Sequence, residues 1–488
     1  MYRPFLLGGN MKKIILFTIL LIISLTTFSA EKADWTVMVY LAADNNLDNA
    51  ILRDLNEIEK VGSIDGKMNV IALIDRWSGR WMYGLDGIVL NRENTRGVRV
   101  YHMQQDDNMR VINSPDITEE MGFIAGDADF VASDPTNLEN FIKKTMELYP
   151  ADKYILDIGG HGGGIGGVIT DDHEKGGQHI TRVTELRDLL GRTFANVVNT
   201  IVAESNGEVK LNVLSFDACL MSMYEVYYEM AANNIGYTVA SEASIAGSGF
   251  SYDNIFSYLR DDIENNGIAD DGEDYSKNMV DQYFEDYSDN SISPADLSSI
   301  KLVNSILDNA NQKVADVFNS IYTEYQNTED EEIIFEIHKT LKRSRMMLSP
   351  YRNDSGEIDY YEHNDYIDLI DLLLTIKDNE LLSGIVDEDD ITEAIMYLRQ
   401  NIVAHKSMGP DFYSERVHGY TVYIPFYKRG IRDGVPFETH PNMQAYIARD
   451  TNFLNTPMGR SIFTLTNTYL SRMSQLSDEQ LAEIEGDF

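Results

Sequence analysis

The chain has 488 residues, 43% hydrophobic and 10% aromatic, enough for two or three folded domains and too apolar to stay disordered. Its 40 Lys and Arg against 79 Asp and Glu leave a formal net charge of −39, which argues against nucleic acid or anionic membrane as a partner, since both would be repelled. The same acidity either serves solubility alone or attracts basic peptides.

Near the N-terminus, Lys12 and Lys13 precede the apolar run Ile14 to Leu25, and small or polar residues follow through Thr26, Thr27, Ser29 and Ala30. This is the layout of a secretory signal over residues 1–30 with cleavage near Ala30. Residues 1–10 read as an upstream extension, because Met11 offers the better start. An uncleaved anchor is the alternative, but the run is short for a membrane span and no cysteine lies near it to take a lipid. We therefore expect an exported protein, periplasmic or secreted, with no stable membrane insertion once the signal is removed.

From Asp34 the chain alternates strand, helix and strand: Trp35 to Leu41, Asn46 to Lys60, Met68 to Asp75. That order implies a parallel sheet with helices on its faces. Trp81 to Leu90 and Gly97 to Met103 read as an antiparallel excursion, and Asn137 to Tyr149 as a helix. The buried strand Tyr154 to Ile158 then opens into Gly159-Gly160-His161-Gly162-Gly163-Gly164, which sets an imidazole at a strand exit among glycines that let a substrate approach the backbone. A loop over Gly162 to Gln178 and a helix over Arg182 to Ala195 follow.

The next strand, Val209 to Phe216, breaks into Asp217-Ala218-Cys219 ahead of a helical stretch, Leu220 to Ala232. Cys219 is the single cysteine of the chain, so it has no disulfide partner within it. It is either inert core filling or a nucleophile whose thiolate is favoured by the mouth of the helix. Retaining one thiol in an oxidising compartment favours the second reading. Two parallel strands ending on one edge would bring His161 and Cys219 together, the edge where open α/β sheets build their sites. Asp217 could simply cap the following helix.

Beyond the strand Tyr237 to Ser241 the composition turns to acidic helices: Ile300 to Tyr325, Glu331 to Met347, Asp365 to Ile376 and Ile391 to Val403. A late strand, Gly419 to Pro425, could return to the main sheet. We expect a catalytic domain over residues 31–275 and a mainly helical C-terminal region over 276–488 with that one late strand. The oligomeric state is not legible.

Three segments in this order, Asp34-Trp35-Thr36-Val37-Met38-Val39-Tyr40-Leu41-Ala42-Ala43-Asp44-Asn45-Asn46-Leu47, Gly160-His161-Gly162 after a strand and Asp217-Ala218-Cys219 after the next, together resemble the clostripain-like cysteine peptidases of the caspase-like clan. Asn364 to Leu369 and Gly419 to Pro425 extend the resemblance, which covers roughly residues 34–460. It implies a caspase-like α/β/α sandwich with a mostly parallel sheet and an endopeptidase cutting after Arg or Lys. By motif, His161 would be the base and Cys219 the nucleophile. The N–H groups of Gly162 and Cys219 would hold the oxyanion, and Asp217 would face a basic side chain of a peptide or protein substrate. Thiolate attack, an acyl-enzyme and its hydrolysis agree with those residue types. The resemblance also suggests self-cleavage between the dyad residues, with Lys175 in Asp171 to Gly177 as the basic residue at the cut; an ordinary loop is the alternative. In the loop after the next strand, where relatives often carry another acid, this chain offers only Glu242.

No cofactor is required by this chemistry. Asp262 to Gly267 with Asp270 and Glu273 loosely resembles a calcium loop, against the plainer reading of a solvated acidic loop. A metal hydrolase could draw on His161, Asp171, His173 and His179, but they lack a helical His-Glu-X-X-His frame. An esterase would need a Gly-X-Ser-X-Gly elbow, which is absent from the sequence. The rival of a different class is a catalytically silent caspase-like binding module.

Overall fold

A computed structural model describes residues 32–77, 96–173, 179–201, 211–233, 235–265, 272–285, 295–352, 358–409, 411–424 and 452–472, with 477, 479 and 480. The signal segment, the expected strand Trp81 to Leu90 and the Lys175 loop lie outside these residues. In chain order the elements are β1 (Ala33–Ala43), α1 (Asp48–Val61), β2 (Met68–Arg76), β3 (Gly97–His102), α2 (Pro135–Leu148), β4 (Ala151–Gly159), β5 (Val168–Asp171), β6 (His179–Thr181), α3 (Val183–Ile201), β7 (Leu211–Asp217), α4 (Tyr224–Ala231), β8 (Ile235–Ala240), α5 (Tyr252–Asn265) and α6 (Glu273–Tyr283). Then follow β9 (Ala295–Lys301), α7 (Asn304–Asn327), α8 (Glu331–Arg343), β10 (Arg345–Arg352), β11 (Ile358–Asp368), α9 (Leu369–Asp378), α10 (Glu388–Gln400), β12 (Ile402–Met408), α11 (Asp411–Ser414), β13 (Thr421–Tyr423) and α12 (Pro457–Arg472).

The main sheet has eight strands in the order β12-β9-β8-β7-β4-β1-β2-β3. Its five central strands run parallel, and β3, β9 and β12 complete it antiparallel. Both faces are covered, which is why β1 reads as an apolar run rather than an alternation. Trp35, Val37, Val39 and Leu41 pack to one side with Ile51, Leu55 and Ile58 of α1 and Ile255 and Leu259 of α5. Met38, Tyr40 and Ala42 pack to the other with Leu138 and Phe141 of α2 and Leu186 and Leu190 of α3. Each such fully buried side chain contributes about 2 kcal/mol, so packing holds these helices more than propensity does. Asp134 caps α2 by accepting the Thr136 N–H at 2.8 Å, with Pro135 opening the helix.

The C-terminal region departs from expectation. It supplies two strands of the main sheet, β9 and β12, so that sheet spans the anticipated boundary at 275/276. Ile300, read as the start of a helix, is the buried end of β9, and the helix begins at Asn304. The late strand is shorter than read and pairs with β11 in a separate sheet of β10, β11 and β13. Asp365 to Asp368, read as helix, ends β11, and Asp368 then caps α9 by accepting the Asp371 N–H at 2.7 Å. The helices of this region share one core, in which Leu307, Phe318, Leu372, Leu398 and Val422 enclose Tyr224 and Tyr227 of α4. The short ribbon β5-β6 also went unread.

Candidate active site

The positions of His161 and Cys219 follow from strand register. β4 and β7 are parallel neighbours with Gly159 opposite Asp217, so His161 and Cys219 each stand two residues beyond a paired position on the same edge. Their backbones meet: a Cβ on Gly162 would collide with the Cys219 carbonyl and crowd its amide nitrogen. Only glycine allows so close an approach.

Hydrogen bonds fix both exits. The Ile169 N–H donates to the His161 carbonyl at 3.0 Å and the Gly163 N–H to the Gly167 carbonyl at 2.9 Å, straddling the bridge between Gly162 and Val168. Among the described residues, neither the Gly162 N–H nor the Cys219 N–H donates to a main-chain carbonyl. On the sulfur side the Leu220 N–H donates to the Ala243 carbonyl at 2.9 Å. Ile169 and Leu220 are the two non-glycine residues with positive φ, 64° and 67°, among the described residues. That conformation costs about 1–2 kcal/mol for an L-residue, and both sit on the segments adjoining His161 and Cys219.

His161 is half-buried, and its Nε2 lies 2.6 Å from Asn46 Oδ1. This partner, from the turn after β1, went unread although it lies within the quoted Asp44 to Leu47 segment. The neighbours in that segment have structural roles. Asn45 Nδ2 donates to the carbonyls of Ala42 and Thr170, and Asp44 pairs with His173. With the amide oxygen accepting from Nε2–H, Nδ1 is left as the basic nitrogen. Burial holds the imidazole below its usual pKa, against an upward pull from Asp172.

Burial also pushes the Cys219 thiol above its ordinary value, which corrects the expectation of a thiolate favoured by a helix mouth. The helix starts five residues later than Cys219, at Tyr224, too far along the chain for its first N–H groups to act on the sulfur. Burial thus disfavours the charged form of both side chains. The sulfur stands 4.0 Å from the Ile245 carbonyl, and Cys219 packs against the cluster of Leu220, Ala243, Tyr413 and Val417.

Asp217 is not a helix cap, since α4 is preceded by Met223. Its Oδ2 accepts the Phe250 N–H at 3.1 Å, and burial pushes the carboxyl up to about 6. Asp54 of α1, also unread, lies close by with its pKa raised first by burial and then by Asp217. The signal was a carboxylate on an apolar stripe, three residues from Ile51 and four from Ile58. Glu242 is fully buried but is turned to the C-terminal region, where Oε1 accepts the Gly419 N–H at 2.6 Å.

Lys175 lies outside the described residues, although its flanks β5 and β6 pair as a ribbon. Among the described residues no three His, Cys, Asp or Glu side chains converge as a metal site, and none of the described helices is long and apolar enough to cross a membrane. Of the calcium-like loop, residues 266–271 are outside the description. Glu273 is engaged by Lys277 at 2.6 Å and Tyr237 Oη at 2.9 Å, with its carboxyl held down at about 2 chiefly by Lys277.

Known proteins resemble this chain in sequence and fold. Clostripain of Hathewaya histolytica is 31% identical over 235 residues, 46% of this chain and 42% of clostripain, so the match spans less than half the length of that relative. A secreted C11 cysteine protease from Bacteroides thetaiotaomicron, solved with an irreversible peptide inhibitor, superposes with TM-score 0.54 at 18% identity over 86% of this chain and 99% of that one. An inactive zymogen C11 protease from Parabacteroides distasonis gives 0.50 at 15% identity over 87% and 98%. These likenesses carry the fold, a mostly parallel α/β sandwich of caspase-like type. The clostripain-family model matches residues 39–439, most of the sequence, and the chain belongs to the clostripain family.

Proposed function

We propose that this protein is an exported cysteine endopeptidase that uses His161 and Cys219 and cuts after Arg or Lys. The observation that carries the reading is the approach of Gly162 to the Cys219 peptide at neighbouring strand exits. His161 accepts the thiol proton as sulfur attacks the peptide carbonyl. The resulting oxyanion is held by the N–H groups of Gly162 and Cys219, which no main-chain carbonyl engages among the described residues. The imidazolium returns its proton to the leaving amine, and the acyl-enzyme remains. Water then attacks with His161 as base, releasing the acid and restoring the thiol.

Asn46 orients the imidazole in this scheme, fixing the tautomer that turns the basic nitrogen toward the thiol. Asp217 supplies negative charge for a basic substrate side chain. Cleavage at Lys175 would act between two strands of one ribbon. The reaction needs no cofactor, and activity surviving chelator treatment is the expected result; loss reversed by added calcium would give the Asp262 to Glu273 loop a ligand role instead.

Intact mass after treatment with an Arg-chloromethylketone tests the assignment. One adduct on the wild type and none on Cys219→Ala is expected. No adduct on either favours the silent binding module. A persistent intact chain in active enzyme, unchanged by Lys175→Ala, would remove self-processing, and an N-terminus other than one near Glu31 on exported material would remove the signal cleavage.

A further inference from the structure

Two carboxylates from different elements meet over one glycine. Asp54 is 3% exposed on the buried face of α1, and Asp217 is 7% exposed at the end of β7. A Cβ at Gly249, whose φ is +69°, would sit 2.7 Å from Asp217 Oδ2 and 3.2 Å from Asp54 Oδ2. Both acids therefore face the same point, which a side chain at position 249 would obstruct. Asp217 receives the Phe250 N–H and a hydrogen bond from Tyr252, whose hydroxyl also donates at 2.7 Å to the buried Asp157, a third acid acting on this pair. Among the described residues no hydrogen bond engages the Asp54 carboxylate; Arg53 lowers its pKa, but less than burial and Asp217 raise it, and a buried acid facing another acid is costly without a close cation.

One segment joins this point to the nucleophile. The Ala243 carbonyl takes the Leu220 N–H, the Ile245 carbonyl stands 4.0 Å from Cys219 Sγ, and the Gly249 N–H turns back to the Ala246 carbonyl at 2.9 Å. Glu242 at the start of the segment is committed to Gly419 and cannot serve. Resting on the peptidase reading above, we infer that Asp54 is a second specificity-determining residue, receiving with Asp217 the guanidinium of a substrate arginine from two directions.

A guanidinium is planar, with five donors in a fixed fork, and can address two carboxylates at once. An ammonium is a compact, strongly hydrated point charge, so Arg is favoured over Lys. Like charges so placed retain a proton while the site is empty. An entering guanidinium stabilises both anions and expels that proton to solvent.

The test compares fluorogenic peptides that differ only in Arg, Lys or citrulline before the cut, using full-length wild type, Asp54→Asn and Asp54→Glu. The Arg-to-citrulline ratio of kcat/KM should fall at least tenfold in Asp54→Asn and recover partly in Asp54→Glu. A ratio in Asp54→Asn within twofold of wild type overturns the inference. Calorimetry of an arginyl peptide amide binding to Cys219→Ala, run in two buffers of different ionisation enthalpy, should show proton release at pH 7 that disappears when Asp54→Asn is added; equal release in both overturns it too and does not depend on turnover or refolding yield. A wild type that is labelled on Cys219 but does not distinguish Arg from citrulline sinks the basic preference together with this inference and leaves the peptidase assignment standing. Absence of labelling sinks the assignment itself.

Discussion

Asp217→Asn should make the protein more stable while impairing its action on basic substrates. Burial pushes the Asp217 carboxyl from 3.8 up to about 6, and at about 1.4 kcal/mol per pH unit the ionised form costs the folded state about 3 kcal/mol. The folded chain holds its proton between those two values while the unfolded chain has lost it. Stability from this group therefore falls as pH rises through that window, with no penalty below 3.8 and the whole of it above about 6. Asparagine removes the charge and keeps an oxygen to accept the Phe250 N–H, although the weaker bond forfeits about 1 kcal/mol. The net gain is about 2 kcal/mol at pH 8 and vanishes near pH 4. Urea unfolding of Cys219→Ala with and without Asp217→Asn at both pH values measures it, provided the denaturant slope is unchanged. A variant no more stable than its parent at pH 8 would refute the reasoning, because the carboxylate would then not be an uncompensated buried charge.

Asn46→Ala should lower kcat about tenfold to a hundredfold with KM little changed, and Asn46→Asp should move the acid limb of the pH profile upward by charging the imidazole's partner; a KM effect alone would assign Asn46 to substrate binding. Gly162→Ala drives a methyl into the Cys219 carbonyl, so the backbone must shift, the melting temperature should fall and kcat should drop about a hundredfold or more; a fully active variant would remove Gly162 from the oxyanion site. Asp172 pulls the His161 pKa upward, so Asp172→Asn should shift the acid limb of kcat/KM to lower pH on a citrulline peptide; an upward shift would contradict the electrostatics described.

The central strands were legible because burial on both faces writes them as apolar runs, and the glycines around His161 and the break after Phe216 marked their exits. That His161 and Cys219 leave neighbouring strands on one edge could thus be read from strand order. β9 could not, since Ala295-Asp296-Leu297-Ser298-Ser299 lacks the expected β-branched pattern. Its polar side chains are satisfied only by distant groups: Asp296 accepts from Ser241, Glu242, Ala243 and Tyr413, and Ser298 bonds His405. Asn46 and Asp54 were hidden for a related reason. Each reads locally as a helix-start or surface residue, and its role appears only when β1 and α1 are set against β4 and β7. The ionisation of Cys219 was misread because the sequence suggests a helix at Leu220, whereas that residue takes a left-handed conformation and postpones it.

The loops bearing imidazole and sulfur are clasped from the far end of the chain. Tyr366 Oη donates to the Gly163 carbonyl at 2.9 Å, the Thr421 N–H donates to the Ser222 carbonyl at 3.0 Å, and Ser222 Oγ donates to the Gly419 carbonyl at 2.6 Å. These contacts span some two hundred residues, so their formation must await synthesis of almost the whole polypeptide. A ribosome-bound intermediate that already carries His161 and Cys219 still lacks these contacts, so their two loops reach the final arrangement only when the C-terminal region folds onto them.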